Sequence, residues 1–406
     1  MMNIKRYPLM RSWITVICTA LFFFYWFVQL SLNNTLHDFY MHRFNLSSYG
    51  FFSSMYLIGN VIMFIPAGII LDKYPTRSVL IVNMFIMVMG ALGLLAVDTR
   101  IIAYFCMLLV GFSGAFSLLS VLRIAVKSFP ADKVAFPISL SITLGMCGGL
   151  FGNSLGVIIY NLFSSGYIVQ IFNIALGILV LILIVIAVKE PEQSVDERES
   201  KNTVLMSLNL VIRNPQNWLA GVYISLMNLA IMILDFSFGQ EYLRNAFHVT
   251  PSAAANIVSM IFIGFIVAGP VSGRISDVCG YRKPIMIIGA ILTIIILSLL
   301  IFMPNLSVLS LVIIFFFIGV TTSTQSLGYP VIAESNHASL VATANALGSL
   351  LIMGGGALAQ NAFGIVQKIF DYQYAYYILP VCVIFALFSA LLMKETGWKS
   401  ARIVLK

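Results

Sequence analysis

Charged side chains are scarce in this chain of 406 residues, in which Asp, Glu, Lys and Arg together make up 9%. A soluble globular domain carries roughly 25% charged residues. Hydrophobic residues, in contrast, make up 60% of the chain, and the mean hydropathy is +0.99. This balance excludes an ordinary soluble domain and indicates a protein that lies largely in lipid.

Histidine and cysteine are also infrequent, with four and five residues respectively. The cysteines have no spacing typical of a metal site or a disulfide framework. We interpret them as packing residues: Cys18, Cys106, Cys147, Cys279 and Cys382. The sequence contains no His-Glu-x-x-His stretch either. We therefore predict neither a bound metal nor a cofactor.

One short motif raises the alternative of an intramembrane enzyme. GFSG at 111–114 matches the Gly-x-Ser-Gly motif of rhomboid-type serine proteases. Such a protease needs a histidine at the depth of its serine. His37, His42, His248 and His337 all fall in or beside the predicted loops. The sequence therefore favours a protein that is not an enzyme.

Long apolar runs recur along the whole chain. A run of about 20 residues suffices to cross a bilayer as a helix, whereas an open strand would leave its backbone groups unpaired in lipid. The runs predict an all-α membrane protein with twelve spans: 12–36, 49–71, 78–97, 101–126, 134–160, 167–188, 217–240, 252–276, 284–302, 306–332, 338–367 and 373–393. The first run follows basic residues as a signal peptide does, but its length and the lack of a small-residue cleavage site favour a span.

The distribution of basic residues predicts the orientation of these spans. If the N-terminus lies in the cytoplasm, only Arg43, Arg100, Arg244 and Lys368 of the 23 Lys and Arg residues fall outside. Basic residues favour the cytoplasmic side of a membrane, so we predict cytoplasmic termini in the inner (plasma) membrane. The net charge of +8 is explained by this bias and by anionic lipid headgroups, without a nucleic-acid partner.

The apolar pattern is interrupted by KEPEQSVDERESKN at 189–202. The next stretch, 203–218, has apolar residues at helical spacing and predicts a short amphipathic helix at the inner surface. We therefore predict an N-terminal six-span half (1–188), a cytoplasmic linker (189–216) and a C-terminal six-span half (217–406).

The two halves resemble each other in sequence. GIILDKYPTRSV at 68–79 and GRISDVCGYRKP at 273–284 each place Asp four residues after Gly and Arg nine residues after it, and the copies start 205 residues apart. LLVGFSGAFS at 108–117 has a counterpart in FFIGVTTSTQ at 316–325. Two six-helix halves around a midplane site are a transporter architecture.

The repeated stretch resembles the signature of the major facilitator superfamily, roughly Gly-x-x-x-Asp-Arg-x-Gly-Arg-Arg between spans 2 and 3 and between spans 8 and 9. The second copy matches at Gly273, Asp277, Gly280, Arg282 and Lys283, and departs at Val278. The first copy is looser, matching at Gly68, Asp72, Lys73 and Arg77, with Pro75 in place of the second glycine. The resemblance covers essentially the whole chain and implies two pseudo-symmetric six-helix halves.

The resemblance also implies a gate on the cytoplasmic side. In the family, the acids and bases of this motif are thought to hold the inner face closed and to separate when it opens. We expect Asp72 and Lys73 with Arg77, and Asp277 with Arg282 and Lys283, to form it, because exposed ion pairs are weak enough to break reversibly. Arg123 and Lys127, at the inner end of span 4, are interpreted as snorkelling anchors or charges at the inner mouth.

Spans 1, 4, 7 and 10 line the cavity in this family. Asp235 in span 7 is the carboxylate that we place deep in a span, and an ionisable group at membrane depth is a functional candidate. Because burial favours its protonated form, we predict that Asp235 couples transport to protons. The alternative is an ion pair between Asp235 and an outer base such as Arg244.

All four cavity spans carry polar residues. We predict that these side chains bind the substrate: Tyr25, Gln29, Asn33, Ser113, Ser117, Asn228, Thr321 and Gln325. The alternative is that they form hydrogen bonds between helices. Spans 1 and 7 contain no Lys or Arg at mid-depth, which disfavours a phosphorylated substrate and favours a neutral, zwitterionic or cationic one.

The sequence thus predicts a monomeric secondary active transporter that works by alternating access, with a small molecule, protons and membrane lipid as its partners. Three stretches, at 128–149, 214–226 and 261–277, resemble bacterial importers and exchangers of small organic solutes, among them phagosomal nutrient transporters. An amino acid, a nucleoside or a similar nutrient is the expected substrate. The alternatives are an exporter of a siderophore, metabolite or drug, and a receptor that retains the transporter fold.

Overall fold

The structure is a computed structural model that describes residues 9–46, 49–189, 204–303, 305–369 and 374–400. Twelve of its helical segments are long and apolar enough to cross a membrane, which confirms the predicted all-α membrane protein. The α-helices are α1 (Leu9–Thr35), α2 (His37–Arg43), α3 (Tyr49–Lys73), α4 (Thr76–Ala96), α5 (Arg100–Ser128), α6 (Ala135–Phe163), α7 (Gly166–Ala187), α8 (Val204–Arg213), α9 (Pro215–Ile231), α10 (Gly239–Phe247), α11 (Pro251–Cys279), α12 (Lys283–Phe302), α13 (Val308–Thr322), α14 (Gly328–Glu334), α15 (Val341–Ile369) and α16 (Ile378–Leu392).

The predicted amphipathic helix is α8, and it ends at Arg213 because the next residues start a new helix. The Asn214 side chain accepts a hydrogen bond from the Gln216 N–H at 3.1 Å, and Pro215 occupies the first turn of α9. A polar N-cap followed by proline is a strong helix start. The acidic part of the predicted linker, residues 190–203, lies outside the described residues.

Span 7 is interrupted by a π-helical turn, Met232–Ser237, between α9 and α10. The Phe238 N–H donates to the Ile233 carbonyl at 2.8 Å, five residues back, as a π-helical bond requires. Gly239 follows the turn, where any Cβ would collide with the Leu234 carbonyl. A glycine at this position therefore permits the close return of the chain.

Span 10 is interrupted by a 3₁₀ turn, Ser323–Leu327, between α13 and α14. Hydroxyl groups at the end of α13 bond back to carbonyls of the preceding turn: Thr322 to Ile318 O at 2.7 Å and Ser323 to Val320 O at 2.7 Å. Such back-bonding competes with the helical ladder and bends helices. The run of Thr and Ser in the sequence thus explains the interruption.

The chain forms two compact units. Unit 1 contains Met1–Phe129, Ser141–Leu208 and the short segment Ala338–Ala346. Inside it, α3 and α5 pack through two glycines. A Cβ on Gly59 would lie 2.5 Å from the Leu108 carbonyl oxygen, and a Cβ on Gly111 would overlap the Tyr56 carbonyl. Small residues let two membrane helices approach closely.

Unit 2 contains Pro130–Leu140, Asn209–His337 and Leu347–Lys406. Its α11 and α13 pack through the same arrangement. A Cβ on Gly264 would overlap the Phe316 carbonyl, and a Cβ on Gly319 would overlap the Ile261 carbonyl. On each of these four helices, the residue whose carbonyl is contacted lies three positions before the glycine. The structural repeat therefore follows the predicted correspondence of 108–117 with 316–325.

Candidate functional site

Asp72, at the end of α3, binds the first turn of α15 within unit 1. Its carboxylate accepts hydrogen bonds from the N–H groups of Ala342 at 3.1 Å and Thr343 at 2.7 Å, and from the Thr343 hydroxyl at 2.6 Å. The first N–H groups of a helix have no partner inside it, and the helix dipole favours a negative charge there. Asp72 therefore caps a helix that lies about 270 residues further along the chain.

The base beside Asp72 is Arg123 rather than the predicted Arg77. Arg123 Nη1 lies 3.5 Å from Asp72 Oδ1, and Nη2 donates to the Asp72 carbonyl at 3.2 Å. Arg77 instead donates to the Val185 carbonyl at 3.0 Å, because Pro75 is the N-cap of α4 and Arg77 already belongs to that helix and not to the end of α3. Lys73 is exposed. The expected pairing of Asp72 with Arg77 is corrected accordingly.

The interpretation of Arg123 as a snorkelling side chain is wrong. Arg123 is only 2% exposed, so its guanidinium stays inside unit 1 instead of reaching water. Its Nε and Nη1 atoms make no hydrogen bond within the described part of the chain. Burial of the whole guanidinium fits a base held beside Asp72.

Unit 2 repeats this capping at Asp277, near the end of α11. The Asp277 carboxylate accepts from the N–H groups of Ala135 at 3.1 Å and Phe136 at 2.9 Å, in the first turn of α6. Its predicted partner Arg282 is present, with Nη1 at 2.8 Å from Oδ1. Both repeats of the motif therefore use their acid to cap the start of another helix.

Arg282 is fully buried and binds a second carboxylate. Its Nη2 lies 2.8 Å from Glu334 Oε1, and its Nη1 also donates to Ser276 Oγ at 2.9 Å. Burial alone would lower the pKa of the guanidinium, but the charges of Glu334 and Asp277 and their hydrogen bonds raise it overall. Arg282 is thus held as a cation between two acids.

The C-terminal segment Lys394–Ser400 completes this cluster. Glu395 accepts from the N–H groups of Arg282 at 2.7 Å and Lys283 at 3.0 Å, and so caps the start of α12. The Thr396 hydroxyl donates to Glu334 Oε2 at 2.7 Å. We name the cluster of Asp277, Arg282, Glu334, Glu395 and Thr396 the unit 2 cluster.

Lys283 does not pair with Asp277 as expected. Its Nζ donates to the carbonyls of Leu391 at 2.6 Å and Met393 at 2.9 Å, at the end of α16. A lysine is favourable there because the last carbonyls of a helix carry partial negative charge. Glu334 and Glu395 were not predicted as members of the cluster. The one signal for Glu334 was its position at the inner end of span 10.

The predicted binding residues of α1 are hydrogen bonded within unit 1. Gln29 Nε2 donates to the Tyr25 hydroxyl at 2.7 Å, and Tyr25 donates to the Asn173 carbonyl at 3.1 Å. The backbone carbonyl of Asn33, and not its amide side chain, accepts from the Tyr49 hydroxyl. The bond from Tyr25 to Asn173 joins α1 to α7, as the alternative of hydrogen bonds between helices describes, whereas the bond between Gln29 and Tyr25 lies within α1.

The remaining predicted binding residues lie in α5, α9 and the interrupted span 10. Ser113 and Ser117 bond back to the Leu109 and Gly114 carbonyls of their own helix, at 3.0 and 2.6 Å. Thr321 accepts from the Thr293 hydroxyl at 2.8 Å. Two amide residues are buried: Asn228 in α9, and Gln325, whose Oε1 makes no hydrogen bond in the described part of the chain.

Asp235 lies in the π-helical turn Met232–Ser237 that interrupts span 7. Its side chain lies outside the described residues, so the alternative pairing with Arg244 stays open. The proton-coupling role of Asp235 therefore remains a prediction.

The sequence model of the Major Facilitator Superfamily matches residues 13–239 and 226–402. The chain belongs to the major facilitator superfamily. This membership makes the protein a membrane transporter and not an enzyme, in agreement with the prediction. By sequence, no curated protein matches this chain significantly.

Solved structures of other superfamily members share the fold. The E. coli fucose:proton symporter FucP is 16% identical, with a TM-score of 0.72, and the match covers 94% of this chain and 100% of FucP. The proton:xylose symporter XylE is 13% identical, with a TM-score of 0.75 and coverage of 96% and 98%. The human organic anion transporter TETRAN is 12% identical, with a TM-score of 0.70 and coverage of 95% and 100%. At these identities the likeness shows the superfamily fold.

Proposed function

We propose that this superfamily member imports a small neutral or zwitterionic organic solute by alternating access and couples the movement to protons. The position of Asp235, in the interruption of span 7, carries this proposal. An ionisable residue at membrane depth is costly and marks an ion or substrate pathway. Interruptions of a helix by π-helical turns occur frequently at functional sites.

The solute class follows from the polar residues and from the absence of cations. Spans 1 and 7 contain no Lys or Arg that would hold an anion at mid-depth. The amides of Asn228 and Gln325 offer both donors and acceptors, which suit hydroxyl, ammonium and amide groups. Amino acids and nucleosides have such groups, and so do the sugars moved by the two symporters that share the fold.

The gate is proposed to consist of the two capping acids. Asp72 holds the first turn of α15, and Asp277 holds the first turn of α6. A helix start can leave a capping carboxylate and return to it without any change in covalent structure. Arg123 and Arg282 keep each acid in place, and the transport cycle breaks and restores the caps.

The protein is proposed to act as a monomer in the inner (plasma) membrane, surrounded by lipid. One chain contains both copies of the capping motif, so a single protein molecule supplies both capping acids of the gate. The bias of basic residues supports cytoplasmic termini.

Thermal unfolding of the purified protein with candidate solutes tests the substrate class. A ligand that binds the folded state raises the unfolding temperature by mass action. We expect a rise with a member of the amino acid, nucleoside or monosaccharide classes, larger at pH 5.5 than at pH 7.5. A rise confined to iron chelators or bulky amphipathic compounds would instead support the alternative of an exporter.

Uptake into proteoliposomes under a pH gradient tests the coupling. With a solute identified by thermal unfolding, Asp235→Asn is expected to abolish accumulation driven by the gradient while exchange of solute continues. Glu241→Gln is the matched control, because Glu241 is an exposed acid near the same end of span 7. Accumulation by Asp235→Asn at the wild-type level would contradict the proposed coupling.

A further inference from the structure

The segment Glu395–Ser400, which we name the C-terminal turn, is closed by its own hydrogen bonds. Glu395 Oε1 accepts from the N–H groups of Thr396 at 3.0 Å and Gly397 at 2.9 Å. The Ser400 N–H donates to the Gly397 carbonyl at 2.9 Å, and the Ser400 hydroxyl donates to the Glu395 carbonyl at 3.3 Å. Local bonds of this kind hold a short segment in one shape. Because α16 already ends at Leu392, the C-terminal turn can leave its neighbours without unwinding a span.

The C-terminal turn is seated on the connection between α11 and α12. Gly397 approaches this connection so closely that a Cβ on it would overlap the Gly280 carbonyl. The Lys399 N–H donates to the same carbonyl at 3.3 Å. The Lys399 Nζ lies 5.6 Å from the centroid of the Tyr281 ring, within the range of a cation–π contact. The fit therefore depends on a glycine at position 397.

Two side chains of the C-terminal turn reach the residues that hold the start of α6. The Trp398 indole N–H donates at 2.9 Å to the Asp277 carbonyl, in the last turn of α11, where carbonyls lack partners inside the helix. The Thr396 hydroxyl donates to Glu334 Oε2 at 2.7 Å, and Glu334 Oε1 accepts from Arg282 at 2.8 Å. Arg282 in turn binds the Asp277 carboxylate at 2.8 Å. The C-terminal turn thus fixes Asp277 directly at its backbone and indirectly through Glu334 and Arg282.

We propose that the C-terminal turn is a latch that keeps Asp277 on the start of α6. While it is seated, the Asp277 carboxylate is held against the N–H groups of Ala135 and Phe136, and its release loosens this cap. A segment that binds the capped arrangement better than the uncapped one stabilises the cap by that difference. The coupling is reciprocal, so loss of the cap must also loosen the latch. The latch rests on the proposed gate, whose opening breaks this cap, and it sets how often the gate opens.

Hydrogen exchange of the full-length protein in lipid nanodiscs tests the latch. Gly397→Ala lifts the C-terminal turn from its seat, because the added Cβ collides with the Gly280 carbonyl, and it removes neither a donor nor an acceptor. We expect exchange at the N–H groups of Ala135 and Phe136 to become on the order of tenfold faster, as the loss of a hydrogen bond to a charged group implies. Lys394→Ala is the control, because that exposed side chain precedes the C-terminal turn.

The Asp72 cap provides an internal reference in the same molecule. Its donors, the N–H groups of Ala342 and Thr343, bind a carboxylate in the same way but belong to unit 1. Exchange at these two groups should be unchanged in Gly397→Ala. Unchanged exchange at the start of α6 would overturn the latch. An equal rise at both helix starts would also overturn it, because that result indicates a general loosening of the protein.

Two further variants extend the test if Gly397→Ala folds poorly. Trp398→Phe keeps an aromatic ring but removes the N–H donor, and we expect exchange at the start of α6 to become about threefold faster. Asp277→Asn weakens the cap and keeps the backbone carbonyl that Trp398 binds. We expect it to speed the exchange of the Lys399 N–H, as reciprocal coupling requires. Wild-type exchange at Lys399 in this variant would refute the coupling.

The same variants separate the latch from the gate on which it rests. The exchange measurements need no solute, so their failure would count against the latch alone. Transport by Gly397→Ala at the wild-type rate, despite faster exchange at the start of α6, would instead refute the gate and leave the latch standing.

Discussion

Asp72 accepts two hydrogen bonds from Thr343, one from its backbone N–H at 2.7 Å and one from its hydroxyl at 2.6 Å. The backbone bond requires only a helix start, but the hydroxyl bond depends on the identity of residue 343. The contribution of the side chain to the cap is therefore separable by mutation.

Replacement of Thr343 by Val is expected to lower the free energy of unfolding by about 1–2 kcal/mol, because it removes the hydroxyl and keeps the side-chain shape. Thr343→Ser, which keeps the hydroxyl, is the control and should lie close to wild type. Chemical or thermal unfolding in one detergent measures both. Equal stability of the Val and Ser variants would mean that the hydroxyl bond contributes nothing to the cap.

Loss of the Asp277 carboxylate is expected to be more costly, because it leaves Arg282 buried with one acid fewer. Removing one member of a buried ion pair costs about 3–5 kcal/mol. We expect Asp277→Ala to be destabilised by roughly this amount, and the double variant Asp277→Ala with Arg282→Met to recover part of it. Recovery is partial because Glu334 loses its arginine partner in the double variant and keeps only the Thr396 hydroxyl among the described residues. Simple additivity of the two single effects would contradict a coupled unit 2 cluster.

Glu395 is expected to stabilise the start of α12 from beyond the last span. Glu395→Ala removes an acceptor for the N–H groups of Arg282 and Lys283, and the loss of a cap costs about 1–2 kcal/mol. Lys394→Ala is the control, because that side chain is exposed. Hydrogen exchange should increase at the start of α12 in Glu395→Ala but not in Lys394→Ala. Unchanged exchange at that helix start would rule out the capping role.

The glycine contacts inside each unit predict a sharp contrast among three alanine substitutions. Gly111→Ala and Gly319→Ala place a Cβ against the Tyr56 and Ile261 carbonyls, whereas a Cβ on Gly354 meets no atom within 4 Å. Overpacking costs about 1–3 kcal/mol or more. We expect the first two variants to lose stability by this amount and Gly354→Ala to remain near wild type. Thermal unfolding distinguishes the outcomes, and a stable Gly111→Ala would refute the close helix approach.

The sequence predicted the spans well, because hydropathy and length are local properties of about 20 residues. The correspondence of 108–117 with 316–325 also reappears as matched glycine contacts. The partners of charged residues were predicted less well. Asp72 and Arg77 are close in sequence and were expected to pair, but a new helix, capped by Pro75, starts between them at Thr76.

Except for Arg282, which lies five residues after Asp277, the partners of these acids are distant in the chain. Asp72 binds Thr343 and Arg123, and Asp277 binds Phe136 as well as Arg282. No periodicity or motif in one sequence connects residues that far apart, because only the packing of spans brings them together. Glu395 was missed for the same reason, since its contact with the start of α12 joins positions 113 residues apart.

That separation has a consequence for biosynthesis. The start of α12 is made 113 residues before the acid that caps it. At about 5–20 residues per second, the ribosome needs on the order of ten seconds to reach Glu395. During this interval the newly inserted helix must keep its first N–H groups hydrated or bound to lipid headgroups. A chain that is released early would have these spans in the membrane but not this cap, so the cell's quality-control proteases would meet a protein that is inserted yet lacks the acid that binds the start of α12.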